Sequence, residues 1–441
     1  MQKFLKKIVT NLLIAEARAV LRKYKPSIVA ITGSVGKTTA KDAIYATLAE
    51  SSFVRKSDKS FNSDIGVPLT ILGCPNGWNN PLRWLENIFD GLLLLLFRSK
   101  YPDWLVLEVG ADRPGDIRSM ASWLSVDIAV VTHIPEVPVH VEYFSSPEEV
   151  VEEKAAIIGA MKPTGTLVLY ADDPRVLSLA DRASQSRIIT YGLADNANVR
   201  GTKIKIAYSD KTTHVASVPI GMNAQVTSNV SGADGSVEVF VDGTLGSHTV
   251  VPFLAAAAVA SAVGIQLEAA AESFKKHQEP LRGRMRILSG IRGSVVIDDT
   301  YNASPAATMA ALEVLRDLRV SGKKIGVLGD MMELGRYSVE AHRKVGTQAT
   351  ESADELFAVG IRMRDAVKSA LDAGMQDSVI FQYERAEQVG EALATRVKDG
   401  DCILLKGSQS VRMERAVEIL LSDPTKANDL LVRKEKEWMI R

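Results

Sequence analysis

The stretch VAITGSVGKTTAKD, residues 29–42, decides how the first half of this chain is read. A run of apolar residues enters a glycine-containing turn, and a helical pattern, KTTAKDAIYATLAE, follows at once. Strand, loop and helix in that order bring backbone N–H groups and a helix N-terminus to an anion. Gly33 and Gly36 permit the tight turn through Ser34 and Val35. Lys37 reaches the terminal phosphates of a nucleotide, and the first of the paired threonines, Thr38 and Thr39, is placed to hold Mg2+. Ile31 stands where a full phosphate-loop pattern has its first glycine, but the core GKTT is intact. The bland alternative is a strand-to-helix turn that merely contains Gly-Lys, and the buried strand ahead of it argues against that.

Upstream, Phe4, Leu5, Ile8, Val9, Leu12, Leu13, Ala17, Val20 and Leu21 recur at helical spacing among lysines and arginines, and Pro26 ends the segment. Residues 1–25 therefore read as one basic amphipathic helix. They are not a secretory signal, because charge interrupts the apolar residues and no small-residue cleavage site follows. The longest apolar run, GLLLLLF at 91–97, falls short of the ~20 residues a spanning helix needs. Cys74 and Cys402 match no metal or redox spacing, so the expected compartment is the cytoplasm. With 53 basic and 53 acidic residues there is no global electrostatic case for a nucleic-acid partner.

Downstream, WLVLEVGA (104–111), VDIAVVTHI (126–134) and TGTLVLYADD (164–173) are strand candidates with polar tips, where α/β sheets place their ligands. From 197 to 251 the pattern becomes alternating, as in SVEVFVDG, which predicts antiparallel strands before an alanine-rich helix. After RGRM (282–285), the candidate hinge, SVVIDDT, KIGVLGD, ELFAVG, SVIFQY and CILLKG alternate with helical stretches. The expected class is α/β. A phosphate-loop domain over 26–281, mostly parallel with a smaller antiparallel part, precedes a Rossmann-like domain over 282–441.

Polar residues at strand tips are the candidates for chemistry. Glu108 just past a buried strand suits Mg2+, directly or through water. His133 and His140 flank a proline-rich turn, and Lys154 lies on an acidic helix, where a lysine is ordinarily a solvated ion-pair partner. Asp299, Asn302, Asp330, Glu333, Lys406 and Ser408 fall at strand ends of the second unit. Ser304 ahead of Pro305 reads instead as a helix N-cap.

These residues resemble a known family over nearly the whole chain, the ATP-dependent Mur ligases of peptidoglycan synthesis. The likeness rests on TGSVGKTT, FNSDIGVP (61–68), EVGADRPGDI, the His140 to Lys154 segment, DDTYNASP (298–305) and GDMMELG (329–335). The last pair favours the D-alanyl-D-alanine-adding branch. The resemblance implies that ATP phosphorylates the carboxylate of a muramyl-tripeptide, UDP- or lipid-linked, and that the amine of D-alanyl-D-alanine attacks the acyl phosphate. It implies two Mg2+ ions, one on Thr38 and Glu108 and one on Glu108 and His140, with a carbamylated Lys154 helping to position metal. It places Arg284, Asn302 and Asp330 on the nucleotide, and Asn62, Tyr301, Lys406 and Ser408 on the substrates. A monomer is expected.

Three departures accompany the likeness. The family's N-terminal domain, which grips the UDP-sugar, has only the basic helix in its place. NNPLRWLENIFDGLLLLLFRSKYPDW (79–104) reads as an inserted amphipathic helix, packed on the N-terminal helix or, together with 1–25, lying on a membrane surface. His248-Thr249-Val250 replaces the asparagine-bearing segment that touches the base. A related ligase with another acceptor, of the cyanophycin or folate-polyglutamate kind, and a nucleotide-binding regulator are the rival readings.

Overall fold

The structure is a computed structural model that describes residues 2–58, 61–78, 80–136, 138, 141–209, 218–434 and 438, with backbone alone for 2–6. Nine strands form the first sheet: β1 (Ser27–Thr32), β2 (Val54–Lys56), β3 (Trp104–Glu108), β4 (Val126–Val131), β5 (Met161–Tyr170), β6 (Arg187–Gly192), β7 (Val199–Tyr208), β8 (Pro219–Ser228) and β9 (Gly235–Asp242). Their order is β2-β3-β1-β4-β5-β6-β7-β8-β9, parallel as far as β7 and antiparallel beyond it. The expected antiparallel part is thus an extension of the same sheet.

Strand β1 is apolar at every central position because both faces are covered. Val29 and Ile31 face α2 (Lys37–Leu48) and the helix Val251–Ala262, while Ile28 and Ala30 face α1 (Gln2–Tyr24), α3 (Gly66–Leu72) and α5 (Asp116–Ala121). Ala255, Ala256, Ala257, Ala258 and Ala260 of the helix Val251–Ala262 are almost fully buried, and their small side chains admit it close against its neighbours.

The second sheet holds β10 (Arg286–Ser289), β11 (Val295–Asp299), β12 (Lys324–Gly329), β13 (Glu355–Val359), β14 (Ile380–Tyr383) and β15 (Cys402–Lys406), in the order β10-β11-β15-β12-β13-β14. All pairs are parallel except β10 with β11. Sequence reasoning does not find β2 or β10, which are edge strands of three and four residues, too short to show alternation. The RGRM segment is fastened on both sides: Leu245 N–H donates to Met285 O at 3.1 Å, and Met285 N–H donates to Asp299 Oδ1 at 3.2 Å.

The inserted segment forms α4 (Pro81–Leu96), capped by the Asn80 side chain, and it packs on α1. Lys23 Nζ donates to the carbonyls of Leu94 (2.8 Å), Leu95 (3.0 Å) and Phe97 (2.6 Å), and Tyr24 Oη donates to Leu94 O and Phe97 O. These are the orphan acceptors of a helix C-terminus, where a cation is also favoured by the dipole. Gly91 lets the helices meet, because a Cβ there would lie 2.3 Å from Glu16 Oε2. Among the described residues no helix is long and apolar enough to cross a membrane.

Glu16 is buried at this contact, one of its oxygens lacks a hydrogen-bond partner, and burial pushes its carboxyl up to about 7. The folded state therefore holds this proton more tightly than the unfolded chain. Stability is fully present below pH 4.5 and is lost as pH rises to about 7, by ~2 kcal/mol once solvent screening is allowed for. Glu16→Gln should raise the melting temperature at pH 8 and narrow its gap from pH 5, read by differential scanning calorimetry. An unchanged gap would contradict the assignment.

Candidate active site at the strand ends

The register Ile31 opposite Glu108, and Thr32 opposite Val131, brings the loop after β1 and the tips of β3 and β4 to one edge. Gly33 has φ +132°, and a Cβ on it would fall 2.1 Å from Thr132 Oγ1, so no larger residue fits. Gly36 caps α2 at φ +88°. Ser34 N–H and Val35 N–H both donate to His133 O at 3.0 Å. It is thus the backbone of His133 that meets the loop. Its ring turns away, with Nδ1 3.0 Å from Asp173 Oδ2 and its edge on Tyr170. Burial works to raise the Asp173 carboxyl, but hydrogen bonds from His133 and Ile134 N–H hold it down at about 2.

Lys37 Nζ donates to Gly33 O at 2.9 Å and Ser34 O at 3.3 Å, folding back over the loop. Burial, aided by the field of Arg284 and opposed by Glu108 and Asp112, lowers its affinity for the proton. Thr38 Oγ1 donates to Glu108 Oε2 at 2.9 Å, and Asn62 Nδ2 donates to Glu108 Oε1 at 3.2 Å. Glu108 is only 2% exposed. Thr39 Oγ1 turns back to Gly36 O at 2.9 Å, inside the loop.

Two residues behind Glu108 carry no sequence signal. Ser57, one step past β2, accepts Glu108 N–H on its Oγ at 3.0 Å, and its carbonyl accepts Lys41 Nζ at 2.8 Å. Burial lowers the Lys41 ammonium, and Asp42 opposes that. Lys41 lies on the helix that the phosphate-loop motif opens, but the motif assigns it no role, and Ser57 lies in no motif; their meeting behind Glu108 is visible only once β2 pairs with β3.

Lys154 sits on α6 (Pro147–Ala155), an otherwise acidic helix, yet it is 4% exposed and points inward, 3.4 Å from Ala111 O. Burial first, and then repulsion from Lys37, lowers it to about 7. Its neighbour Glu153 is structural, accepting the N–H groups of Gly115, Ile117 and Arg118 at the start of α5. Lys37, Asn62, Asp112 and Lys154 line one small polar cavity with Gly33 and Ser34. Ser34 Oγ is buried there without a hydrogen-bond partner among the described residues. His140 lies outside the described residues. Among those described, no three His, Cys, Asp or Glu side chains form a metal cluster.

The second sheet presents its own strand ends. Lys406 Nζ lies 2.6 Å from Asp299 Oδ2 and 3.1 Å from Asn302 O, both internal partners. Asn302 Oδ1 accepts Ala303 N–H, and Ser304 caps the helix Pro305–Asp317 as its sequence suggests. Asp330 Oδ1 accepts Met363 N–H at 2.9 Å, and burial raises its carboxyl. Ser408 Oγ accepts Met332 N–H while its own N–H donates to Asp330 O, tying two loops together. Glu333 holds a left-handed φ of +61° in that loop. The Arg284 guanidinium lies 4.3 Å from the centre of the Tyr301 ring. Arg433, which no motif marks, binds Thr300 O, Tyr301 O and Glu414 from the C-terminal tail. His248 occupies the short turn Ser247–Thr249 with its ring over Gly246.

Known proteins resemble this chain in sequence and in fold. Residues 31–260 match the Mur ligase middle domain, and residues 283–409 match the Mur ligase, glutamate ligase domain. The UDP-N-acetylmuramoyl-tripeptide–D-alanyl-D-alanine ligase of Bacillus subtilis is 29% identical over 410 residues, covering 92% of this chain and 79% of that protein. The crystal structure of MurF ligase from Thermotoga maritima in complex with ADP superposes with a TM-score of 0.73 at 26% identity, covering 95% of this chain and 84% of that one. MurF from Acinetobacter baumannii, at 23% identity, shares the fold with a TM-score of 0.74 over 93% of this chain and 79% of its own. Two family regions matched in sequence order, on a fold that gathers a phosphate loop, a buried carboxylate and a buried lysine, place the chain in the Mur ligase family.

Proposed function

We propose that this chain is an ATP-dependent ligase that joins the amine of D-alanyl-D-alanine to the terminal carboxylate of a muramyl-tripeptide. The observation that carries this reading is the gathering of Lys37, Lys154 and the oxygen pair Thr38–Glu108 at one strand edge, with the field of Arg284 reaching Lys37 from the second sheet. A site that sets the Lys37 ammonium and the field of Arg284 beside a buried carboxylate suits a triphosphate meeting a carboxylate. In the first step a carboxylate oxygen takes the γ-phosphoryl group and ADP leaves. The amine then attacks the carbonyl carbon, inorganic phosphate leaves, and an amide and a proton remain. Lys37 neutralises charge on the transferring group, and the N–H groups at the uncapped start of α2 orient it. Closure of the second sheet over this edge, with Asn302, Asp330 and Arg284 on the nucleotide and Asn62, Tyr301, Lys406 and Ser408 on the substrates, excludes water from the acyl phosphate.

Hard oxygen donors fit Mg2+: the Thr38 hydroxyl stands against Glu108, and the Ser34 hydroxyl of the same loop is buried without a partner among the described residues. Thr38 and Glu108 would hold one ion, and Glu108, His140 and Lys154 the second. When bound, the ions neutralise charge on the phosphates. Lys154 takes part as a carbamate: its neutral amine adds to CO2, forming an N–C bond and releasing a proton. A lysine at about 7 supplies that neutral amine at physiological pH, which an ordinary lysine does not. Ligation should therefore rise with pH between 6 and 8. It should fall in CO2-depleted buffer and return on adding bicarbonate, whereas Lys154→Ala should respond to neither. Bicarbonate-independent wild-type activity would remove the carbamate.

The enzyme is a cytoplasmic monomer, and the α1/α4 pair (1–25 and 79–104) touches the membrane surface. The deciding experiment offers ATP, Mg2+ and D-alanyl-D-alanine with UDP-linked, lipid-linked or free muramyl-tripeptide, and reads products by mass spectrometry. A new amide on one acceptor establishes substrate and activity together. Tight ATP binding with no product on any acceptor would favour a regulator and overturn the ligase reading.

A further inference from the structure

The outer side of α4 gathers six large apolar side chains on the surface. Leu82, Leu85, Phe89, Leu92 and Leu96 recur three and four residues apart on one stripe, and with Phe97 they are 44–74% exposed. The opposite side of the same helix is already in the core, through Trp84, Ile88, Leu94 and Leu95. Leu12 and Ile8, also exposed, extend the flank of α1 that carries Glu16 and Lys23 to α4. Such a face on both helices calls for an occupant.

Charge identifies it. Residues 1–26 and 80–100 hold ten lysines and arginines against three acidic residues, in a chain that balances 53 against 53. Of the three acids, Glu16 is buried and Glu86 is paired with Arg83. Two copies meeting through this face would bring like charge against like charge, which disfavours self-association. On the other flank of α1, away from the one that meets α4, Arg18, Arg22 and Lys25 open onto a recess of about 450 Å3 with Trp123 and Lys162. Lys162 is paired with Asp127, but the side chains of Arg18, Arg22 and Lys25 make no hydrogen bond or ion pair with any described residue. Three unpaired cations and a half-buried indole, one helix width across α1 from an apolar face, suit the headgroup level of a bilayer.

We propose that this recess is a phosphate-binding site for anionic phospholipid headgroups, and that it makes docking of the α1/α4 face selective for anionic membranes. The inference rests on the membrane contact proposed above and adds the lipid class and the residues that select it. Leu85, Phe89 and Leu92 enter the acyl boundary, while Arg18, Arg22 and Lys25 take the phosphates.

Flotation of the full chain with vesicles of phosphatidylcholine alone, or of phosphatidylcholine mixed with phosphatidylglycerol, tests it. The wild type should float with the mixed vesicles and far less with phosphatidylcholine. Arg18→Gln/Arg22→Gln/Lys25→Gln should lose about 100-fold in partitioning onto mixed vesicles and keep the weak binding to phosphatidylcholine. Leu85→Ser/Phe89→Ser should lose both. Unchanged partitioning of the triple variant would overturn the headgroup site while leaving the membrane contact standing. Wild type that floats with neither vesicle would overturn both. A dimer by light scattering that Leu85→Ser/Phe89→Ser returns to monomer would assign the stripe to a second copy instead.

Discussion

Glu108→Gln is expected to lower kcat/KM for amide formation by about 10^3-fold while leaving the melting temperature nearly unchanged. Glutamine keeps the shape, and its amide can satisfy both present partners. Its oxygen accepts from Asn62 Nδ2 as Glu108 Oε1 does, and its NH2 donates to Thr38 Oγ1, which now donates to Oε2. The Ser57 contact is made by the Glu108 backbone and survives any side chain. What disappears is one negative charge facing Lys37 and Lys41 at the edge where a polyphosphate and Mg2+ would meet. The loss should therefore fall on Mg2+ dependence and turnover, with the fold intact. Steady-state kinetics over a Mg2+ titration, with calorimetric melting of both proteins, separate the two effects. A loss under tenfold at saturating Mg2+ would remove Glu108 from the metal site. A melting temperature several degrees lower would show its charge to be structural.

Much of this edge is legible in sequence because its chemistry is local. Gly33, Gly36, Lys37 and Thr38 lie within six residues, and loop geometry follows from spacing alone. The α/β class follows equally, since apolar runs alternate with helical periods along both halves. Other features depend on contacts between distant segments, which periodicity does not encode. Lys154 is the clearest instance: its neighbours Glu152 and Glu153 suggest a solvated face, yet the helix turns it inward, where burial and Lys37 strip its charge. Glu153 faces inward too, to cap another helix. His133 follows the ordinary rule for a lone histidine in a loop: its ring is a structural partner of Asp173, while its carbonyl carries the contact with the loop, which no side-chain pattern encodes. Ser57 and Arg433 had no motif at all, and Lys41 had no role in the one it follows; only the pairing of strands and the return of the tail reveal them. The two apolar faces of α4 were half legible: its stripe is periodic, but which apolar side is buried depends on α1 and the core beneath it.

Lys406→Met should destabilise the second unit by about 3–5 kcal/mol, the cost of leaving a buried charge without its partner. Asp299 and Lys406 are both nearly fully buried, 2.6 Å apart, and the ammonium also satisfies Asn302 O. Removing it strands the Asp299 carboxylate between β11 and β15, while Asp299 Oδ1 still accepts Met285 N–H beside the segment that joins the two sheets. For a unit of this size that corresponds to roughly a 10 °C fall in the melting temperature. Asp299→Asn in the same chain should recover most of it, because asparagine keeps an oxygen for Met285 N–H and carries no charge. That rescue also divides the two roles open to Lys406. If its work is to balance Asp299, the double variant regains activity along with stability. If the ammonium leaves Asp299 to bind substrate when the sheets close, the double variant melts like wild type but keeps a raised KM for D-alanyl-D-alanine. Melting scans and steady-state kinetics on the two variants tell these apart, and a single variant as stable as the wild type would show that the pair contributes nothing to the fold.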